Sequence, residues 1–353
     1  MKKILCMLLS VLIMLSVCVG CANTAEPVED IEEGPVINVY DDGRARPSSC
    51  GELQVIDGQL CSESGEPVIL RGVSSYGLST AEQFINEPLF TELSRDVGIN
   101  VFRLAMYTTG MGIVGYCTGG DQERLKNTVY NGVDYARNQD MYALIDWHVL
   151  DDGDPNQYIE ESKLFFDEVS EKLCDYNNVM YEICNEPNGV DWPTVKKYAE
   201  VIIPIIREND PDSVIIVGCP DWSKDLESVM ADPLDYDNIM YTFHFYSASH
   251  QEEWRAVVEK ARENDLPVFV TEYGVTASSG GFPRDLEQAD IWIDLLEREN
   301  ISYCMWSYSA VAEPCSALKR GALKNNGFTE EDYSPTGLWL LETIEKHNSQ
   351  YNP

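Results

Sequence analysis

The chain has 353 residues, 44% hydrophobic and 24% charged, a globular balance that excludes disordered, collagen-like and coiled-coil architectures. Its 60 acidic and 25 basic side chains leave a formal charge of −35. A field of that sign repels phosphate backbones and anionic headgroups, which argues against nucleic acids and acidic polymers as partners, whereas a neutral substrate meets no such barrier.

Met1-Lys2-Lys3 precede an uncharged apolar run from Ile4 to Val19, shorter than the ~20 residues that span a bilayer. A basic start before a short apolar stretch reads as an export signal over residues 1–20. Gly20 before Cys21 matches a lipoprotein signal, in which Cys21 is acylated and becomes the mature N-terminus. Cys18 stands where an apolar residue is usual, and a plain cleaved signal is the alternative. Residues 21–49 read as an acidic flexible tether. Between Ala22 and Ser49 there are seven acidic and two basic side chains, three prolines and little apolar periodicity. The protein is therefore expected outside the cell, held at the surface through Cys21 or secreted, with the lipid as its one membrane contact. Eight of the 11 cysteines follow this region: Cys50, Cys61, Cys117, Cys174, Cys184, Cys219, Cys304 and Cys315. Export permits up to four bridges and requires none. Cys184, Cys219 and Cys304 lie in apolar runs, where a free thiol packs as a small hydrophobe.

From Gly51 the pattern is regular. Gly51 to Gly72 reads as a hairpin turning at Asp57-Gly58. Strands are predicted at Val68–Val73, Val101–Tyr107, Tyr142–Trp147, Val179–Ile183, Val214–Gly218, Ile239–Phe245, Pro267–Thr271 and Tyr303–Ser307. Amphipathic helices are predicted between them at Gln122–Asn138, Pro155–Cys174, Thr194–Asn209, Gln251–Asn264 and Asp285–Asn300, with a final helix from about Pro335. Eight apolar strands alternating with helices make an α/β fold, a (β/α)8 barrel forming one domain over residues 50–353. A doubly wound open sheet would show a glycine-rich phosphate turn after its first strand, and Arg71-Gly72-Val73-Ser74-Ser75-Tyr76-Gly77 has no such spacing.

In such a barrel, function gathers where strands end. The strand ends carry Arg103 and Tyr107, Asp146-Trp147-His148, Asn185-Glu186-Pro187, His244-Phe245-Tyr246, Thr271-Glu272-Tyr273-Gly274 and Trp306. Packing alone would not choose polar groups to close apolar strands, because a buried carboxylate costs several kcal/mol unless it is paired. Glu186 and Glu272 end the fourth and seventh strands, on facing sides of a barrel mouth. Two carboxylates flanking one bond are what glycosidic cleavage requires: one protonated to serve the leaving oxygen, one ionised to attack or stabilise the anomeric carbon. With four histidines in the chain and neither His-x-His nor His-Glu-x-x-His, no metal site is expected.

Several stretches together resemble glycoside hydrolase family 5, in its bacterial endo-β-1,4-glucanase branch. They are Gly98-Ile99-Asn100-Val101-Phe102-Arg103, Ile145-Asp146-Trp147-His148, Tyr181-Glu182-Ile183-Cys184-Asn185-Glu186-Pro187, His244-Phe245-Tyr246 and Val270-Thr271-Glu272-Tyr273-Gly274. Asn-Glu-Pro followed 86 positions later by a second strand-end Glu is the specific combination. The resemblance implies a retaining β-glycosidase that needs no cofactor and acts as a monomer on a β-1,4-glucan. Glu186 is then the general acid/base and Glu272 the nucleophile, with carboxyl groups roughly 5–5.5 Å apart. Asn185 is implied to bond the sugar 2-hydroxyl, and Arg103 and Tyr246 to hold Glu272 ionised. His148 and His244 line the reacting subsite, Trp306 forms a floor for a glucosyl ring, and Trp222 stacks a sugar on the leaving-group side. A cis peptide after Trp306 is also implied.

The chain departs from this pattern at the other end of the cleft. Tyr76 replaces a usual His in Ser74-Ser75-Tyr76-Gly77. After Trp306 a usual Lys is replaced by Val311, while Glu313 remains. Tyr76 and Glu313 are thus expected at the substrate rim, with altered partners. These changes leave β-mannanase or xyloglucan-type activity as alternatives, and a non-catalytic glycan-binding lipoprotein as the rival of another class.

Overall fold

A computed structural model describes residues 37–110, 112 and 114–349. The expected signal sequence, Cys21 and the tether as far as residue 36 lie outside the described residues. Among the described residues no helix is long and apolar enough to cross a membrane.

The short apolar runs become strands. A hairpin forms from β1 (Gln54–Ile56) and β2 (Gln59–Cys61) around Asp57-Gly58, both at positive φ. Eight parallel strands follow: β3 (Arg71–Ser75), β4 (Val101–Tyr107), β5 (Tyr142–His148), β6 (Val179–Glu182), β7 (Val214–Val217), β8 (Ile239–Tyr246), β9 (Val268–Gly274) and β10 (Tyr303–Tyr308). They pair in chain order, and β10 closes on β3 to complete the (β/α)8 barrel. Long helices at Gln122–Asn138, Ile159–Leu173, Trp192–Asn209, Glu252–Glu263, Leu286–Arg298 and Pro335–Asn348 bury their apolar stripes against it. Several carry a side-chain N-cap, such as Asp121 on Arg124 N–H and Asp191 on Thr194 N–H, which satisfies donors that the first helical turn leaves unpaired.

The first barrel strand begins three residues later than predicted. Val68 and Leu70 belong instead to a plug. With Leu53 and Leu60 of the hairpin they pack on Val101, Tyr142, Leu144 and Met240 and seal the N-terminal end of the barrel. A second correction concerns the tether. Residues 37–49 are docked on the barrel through hydrogen bonds and ion pairs, with Ile37 and Val39 left exposed. Arg46 has no exposed surface; it donates to Asp42, Ser94 Oγ and the Asp140 carbonyl and lies 4.5 Å over the Tyr40 ring. Ser48 N–H bonds Asp140 at 2.9 Å, and Pro47–Cys50 form a helical turn. Low hydropathy hid this docking because ion pairs carry it. All eight cysteines from Cys50 to Cys315 are free.

Candidate active site

Strand pleating alternates side chains between the barrel interior and the helices, so every second residue of a strand faces inward. Register then decides neighbours. Pairing of β4 with β5 sets Tyr107 beside His148, β5 with β6 sets Asp146 beside Glu182, and β8 with β9 sets His244 beside Glu272.

Arg103 is the hub. It is fully buried, and it donates from Nε to Glu182 Oε2 (2.7 Å), from Nη1 to Glu272 Oε2 (3.1 Å) and from Nη2 to Asn185 Oδ1 (2.6 Å). Its Nη2 also lies 3.0 Å from Asp146 Oδ2. Burial alone would strip its charge, but Asp146, Glu182 and Glu272 hold the guanidinium protonated well above its ordinary range. Glu272 receives a second donor, the Tyr246 hydroxyl at 2.7 Å. Gly274 makes room for this, since a Cβ there would sit 2.4 Å from the Tyr246 ring.

Glu186 has a different environment. Among the described residues no guanidinium hydrogen-bonds to it; its Oε1 faces His244 Nδ1 at 2.8 Å. Burial is the main reason its pKa is pushed up to about 7, with Arg103 and Lys224 pulling the other way. Burial and the Glu186 charge also raise Glu272, against the pull of His244 and Arg103. Burial holds His148 and His244 neutral, depressing them to about 3 and about 4. One oxygen from each glutamate and one His244 nitrogen all lie within 4.8 Å of one another. A metal would need such a trio, but Arg103 already supplies the positive charge here.

The two glutamates border a cleft of about 430 Å3. On one side stand Tyr76, Trp306 and Glu313, with His148 stacked on Trp306 at 5.2 Å between ring centroids. The Trp306–Ser307 peptide is cis. On the other side is Trp222, which stays 47% exposed, a high value for so large an apolar surface. It sits in a left-handed turn, Asp221-Trp222-Ser223, all three at φ near +56°. Such backbone costs about 1–2 kcal/mol per residue. The turn is anchored to the Glu186 segment, by Trp222 N–H on the Pro187 carbonyl and by the Ser223 hydroxyl on the Asn185 carbonyl. Beyond Glu186 a cavity of about 290 Å3 continues past Trp222, Lys224, His244 and His250.

A family model described as Cellulase (glycosyl hydrolase family 5) matches residues 61–311. The chain belongs to glycosyl hydrolase family 5. Endoglucanase A of Butyrivibrio fibrisolvens is 40% identical over 322 residues, which cover 90% of this chain and 74% of that one. An endoglucanase of Clostridium saccharobutylicum is 38% identical over 314 residues, covering 88% and 69%. The catalytic domain of Thermobifida fusca endoglucanase Cel5A superposes with a TM-score of 0.81 at 34% identity, covering 85% of this chain and all of that one. A variant of the same domain is solved in complex with cellotetraose, with a TM-score of 0.80.

The family 5 barrel brings Glu186, Glu272, Arg103, His148, His244, Tyr246, Trp222, Trp306, Tyr76 and Glu313 to one rim. Asn185 has no exposed surface. Arg103 takes its oxygen, and its amide bonds the Val149 carbonyl and faces His148 Nε2, which sets it in the layer beneath the cleft. His244, 2.8 Å from Glu186, also borders the cavity beyond it. Tyr107, Asp146, Glu182 and Thr271 had been given no role. Their signal was present: a charged or hydroxyl side chain at an inward position of an otherwise apolar strand has to meet a partner there.

Proposed function

We propose that this family 5 hydrolase is a retaining endo-β-1,4-glucanase that cleaves internal bonds of cellulose-type or mixed-linkage β-glucan. The observation that carries the reading is the unequal treatment of two close carboxylates. Glu272 accepts from a guanidinium and a phenol, both of which favour its ionised form. The hydrogen-bonding partner of Glu186 is a neutral imidazole, and burial raises the carboxyl to about 7 against the pull of Arg103 and Lys224, which favours its acid form. Oxygens within 4.8 Å of one another suit the retaining separation of about 5–5.5 Å between carboxyl groups and fall short of the roughly 6.5–9.5 Å of an inverting pair.

Glu272 then attacks the anomeric carbon while Glu186 protonates the departing oxygen. The enzyme holds the glycosyl group as an ester of Glu272. Glu186, now ionised, takes a proton from water as that water displaces Glu272, and both residues return to their starting forms. Trp306 and His148 form the floor on one side of the bond and Trp222 the platform on the other. Open space on both sides of Glu186 favours internal cleavage. The endoglucanase names of the relatives and the cellotetraose in a structural neighbour support a β-1,4-glucan substrate.

Reducing-sugar release from carboxymethylcellulose, mixed-linkage glucan, glucomannan and mannan tests the reading, with Glu272→Gln as control. Hydrolysis of the glucans, abolished in the control, is expected. Hydrolysis confined to mannans would keep the mechanism and change the substrate. Glycan binding without hydrolysis by folded protein would replace the enzyme with a capture protein. We further propose export and anchoring through Cys21, and expect Cys21→Ala to move activity from the cell surface to the medium.

A further inference from the structure

We propose that Glu182 and Thr271 are positioning residues for the reaction, fixing which nitrogen of His244 carries hydrogen and thereby which form of Glu186 the site favours. The inference rests on Glu186 being the acid/base.

The argument follows hydrogens along one chain of contacts. Glu182 is buried with no exposed surface, and both of its oxygens receive donors. Arg103 Nε lies 2.7 Å from Oε2, and Thr271 Oγ1 lies 2.6 Å from Oε1. A threonine hydroxyl has one hydrogen. Burial and Asp146 raise the Glu182 pKa, and the Arg103 guanidinium on Oε2 opposes them. With Glu182 ionised beside that guanidinium, the Thr271 hydrogen goes to Oε1, and Thr271 Oγ1 accepts from every other neighbour. One neighbour is the Thr242 hydroxyl, whose own oxygen already accepts Thr271 N–H at 3.2 Å. The other is His244 Nε2 at 3.0 Å. His244 must then carry its hydrogen on Nε2. With the ring neutral, Nδ1 presents a bare lone pair to Glu186 Oε1 at 2.8 Å. A lone pair opposite an oxygen is a hydrogen bond only when that oxygen is protonated. The chain from Glu182 therefore stabilises the acid form of Glu186 until a leaving oxygen competes for the proton.

Other charges also face Glu186. Arg103 from β4 and Lys224 after β7 favour its ionised form; Asp146 from β5, Glu182 from β6 and Glu272 from β9 oppose it. The hydroxyls of Tyr107 and Tyr246 complete the surround. A test must separate the directed chain from this general field.

Glu182→Gln reverses the chain. Its carbonyl must accept Arg103 Nε–H, so its amide donates to Thr271. The Thr271 hydrogen turns to His244 Nε2, and Nδ1–H then donates to Glu186 and favours the ionised form. The alkaline limb of kcat/KM should move about one pH unit toward acid. Because this variant also removes a charge, Thr271→Val is the second arm: it changes no charge, breaks the chain and should shift the same limb in the same direction. Thr271→Ser should restore it. Nitrogen-15 NMR of histidine-labelled protein reads the tautomer directly, with the His244 signal assigned by its loss in His244→Asn. Hydrogen on Nε2 is expected in the unaltered protein and on Nδ1 in Glu182→Gln. Hydrogen on Nδ1 in the unaltered protein overturns the proposal. So does an unmoved alkaline limb in both Glu182→Gln and Thr271→Val, even if stability falls. Undiminished activity of Glu186→Gln would instead overturn the acid/base assignment, and the NMR result would still decide the tautomer.

Discussion

The Tyr76 hydroxyl donates to Glu313 Oε1 at 3.4 Å, joining the loop after β3 to the loop after β10 across the cleft. The Tyr76 ring lies 5.6 Å from Trp306, and burial first, then Glu313, pushes its pKa up to about 12, so it remains a donor. This pair occupies the place where the chain departs from its family pattern. Tyr76→Phe keeps the ring and leaves Glu313, among the described residues, only the Cys315 thiol as a donor. If the pair only grips sugar on this side, KM for cellohexaose should rise roughly 2–10-fold with kcat nearly unchanged, the range expected for one hydrogen bond. An equal fall in kcat would place Tyr76 at the reacting sugar instead.

Arg103 serves carboxylates from β5, β6 and β9 at once. A lysine there would offer one point charge in place of a planar fork. Arg103→Lys is expected to lower kcat/KM by about 10²-fold or more, because Glu272 loses its orientation. Arg103→Met should cost about 3–5 kcal/mol in urea unfolding by leaving buried charges unpaired. It should also move the acid limb of the pH profile toward neutrality, since loss of a cation raises the pKa of Glu272. An unmoved acid limb would detach Arg103 from Glu272.

The raised pKa of Glu186 predicts a trade between activity and stability. A carboxyl that titrates at about 7 when folded and near 4.5 when unfolded binds its proton more tightly in the folded state. Its contribution is full below pH 4.5 and is lost as pH rises to 7. Glu186→Gln removes the group while keeping its shape. The variant should match the parent near pH 4.5 and melt at a higher temperature at pH 8. Equal melting temperatures at both values would mean that Glu186 is not held protonated by its surroundings.

The barrel was legible because strands and helices announce themselves by period, and the rim because charges ended apolar runs. The layer below the rim was harder to read. Glu182 lies four residues before Glu186 within the predicted strand, and nothing local distinguishes a buried ion-pair partner from a reactive acid. Its meaning comes from Arg103 and Thr271, 79 and 89 residues away in sequence. The partners of Asn185 are hidden from local sequence for the same reason: Arg103 and the Val149 carbonyl belong to other strands and their loops. The plug formed by Val68 and Leu70 read as strand because an apolar run that caps a barrel and one that lines it have the same composition.

Arg46 offers the sharpest test of the docked segment before the hairpin. Composition alone assigns it to a solvated tether, yet its guanidinium is buried among Asp42, Ser94 and the Asp140 carbonyl. Asn100, just before β4, donates to the Ala45 carbonyl at 3.0 Å, so the segment covers the N-terminal face of the barrel, opposite the cleft. Arg46→Ala should therefore cost about 3–5 kcal/mol, the range for unpairing a buried ion. It should leave kcat/KM unchanged at temperatures where the protein stays folded. A chain beginning at Gly51 should melt well below one beginning at Ile37. Equal melting temperatures for those two chains would return residues 37–49 to the role of a tether and leave Arg46 a surface contact without energetic weight.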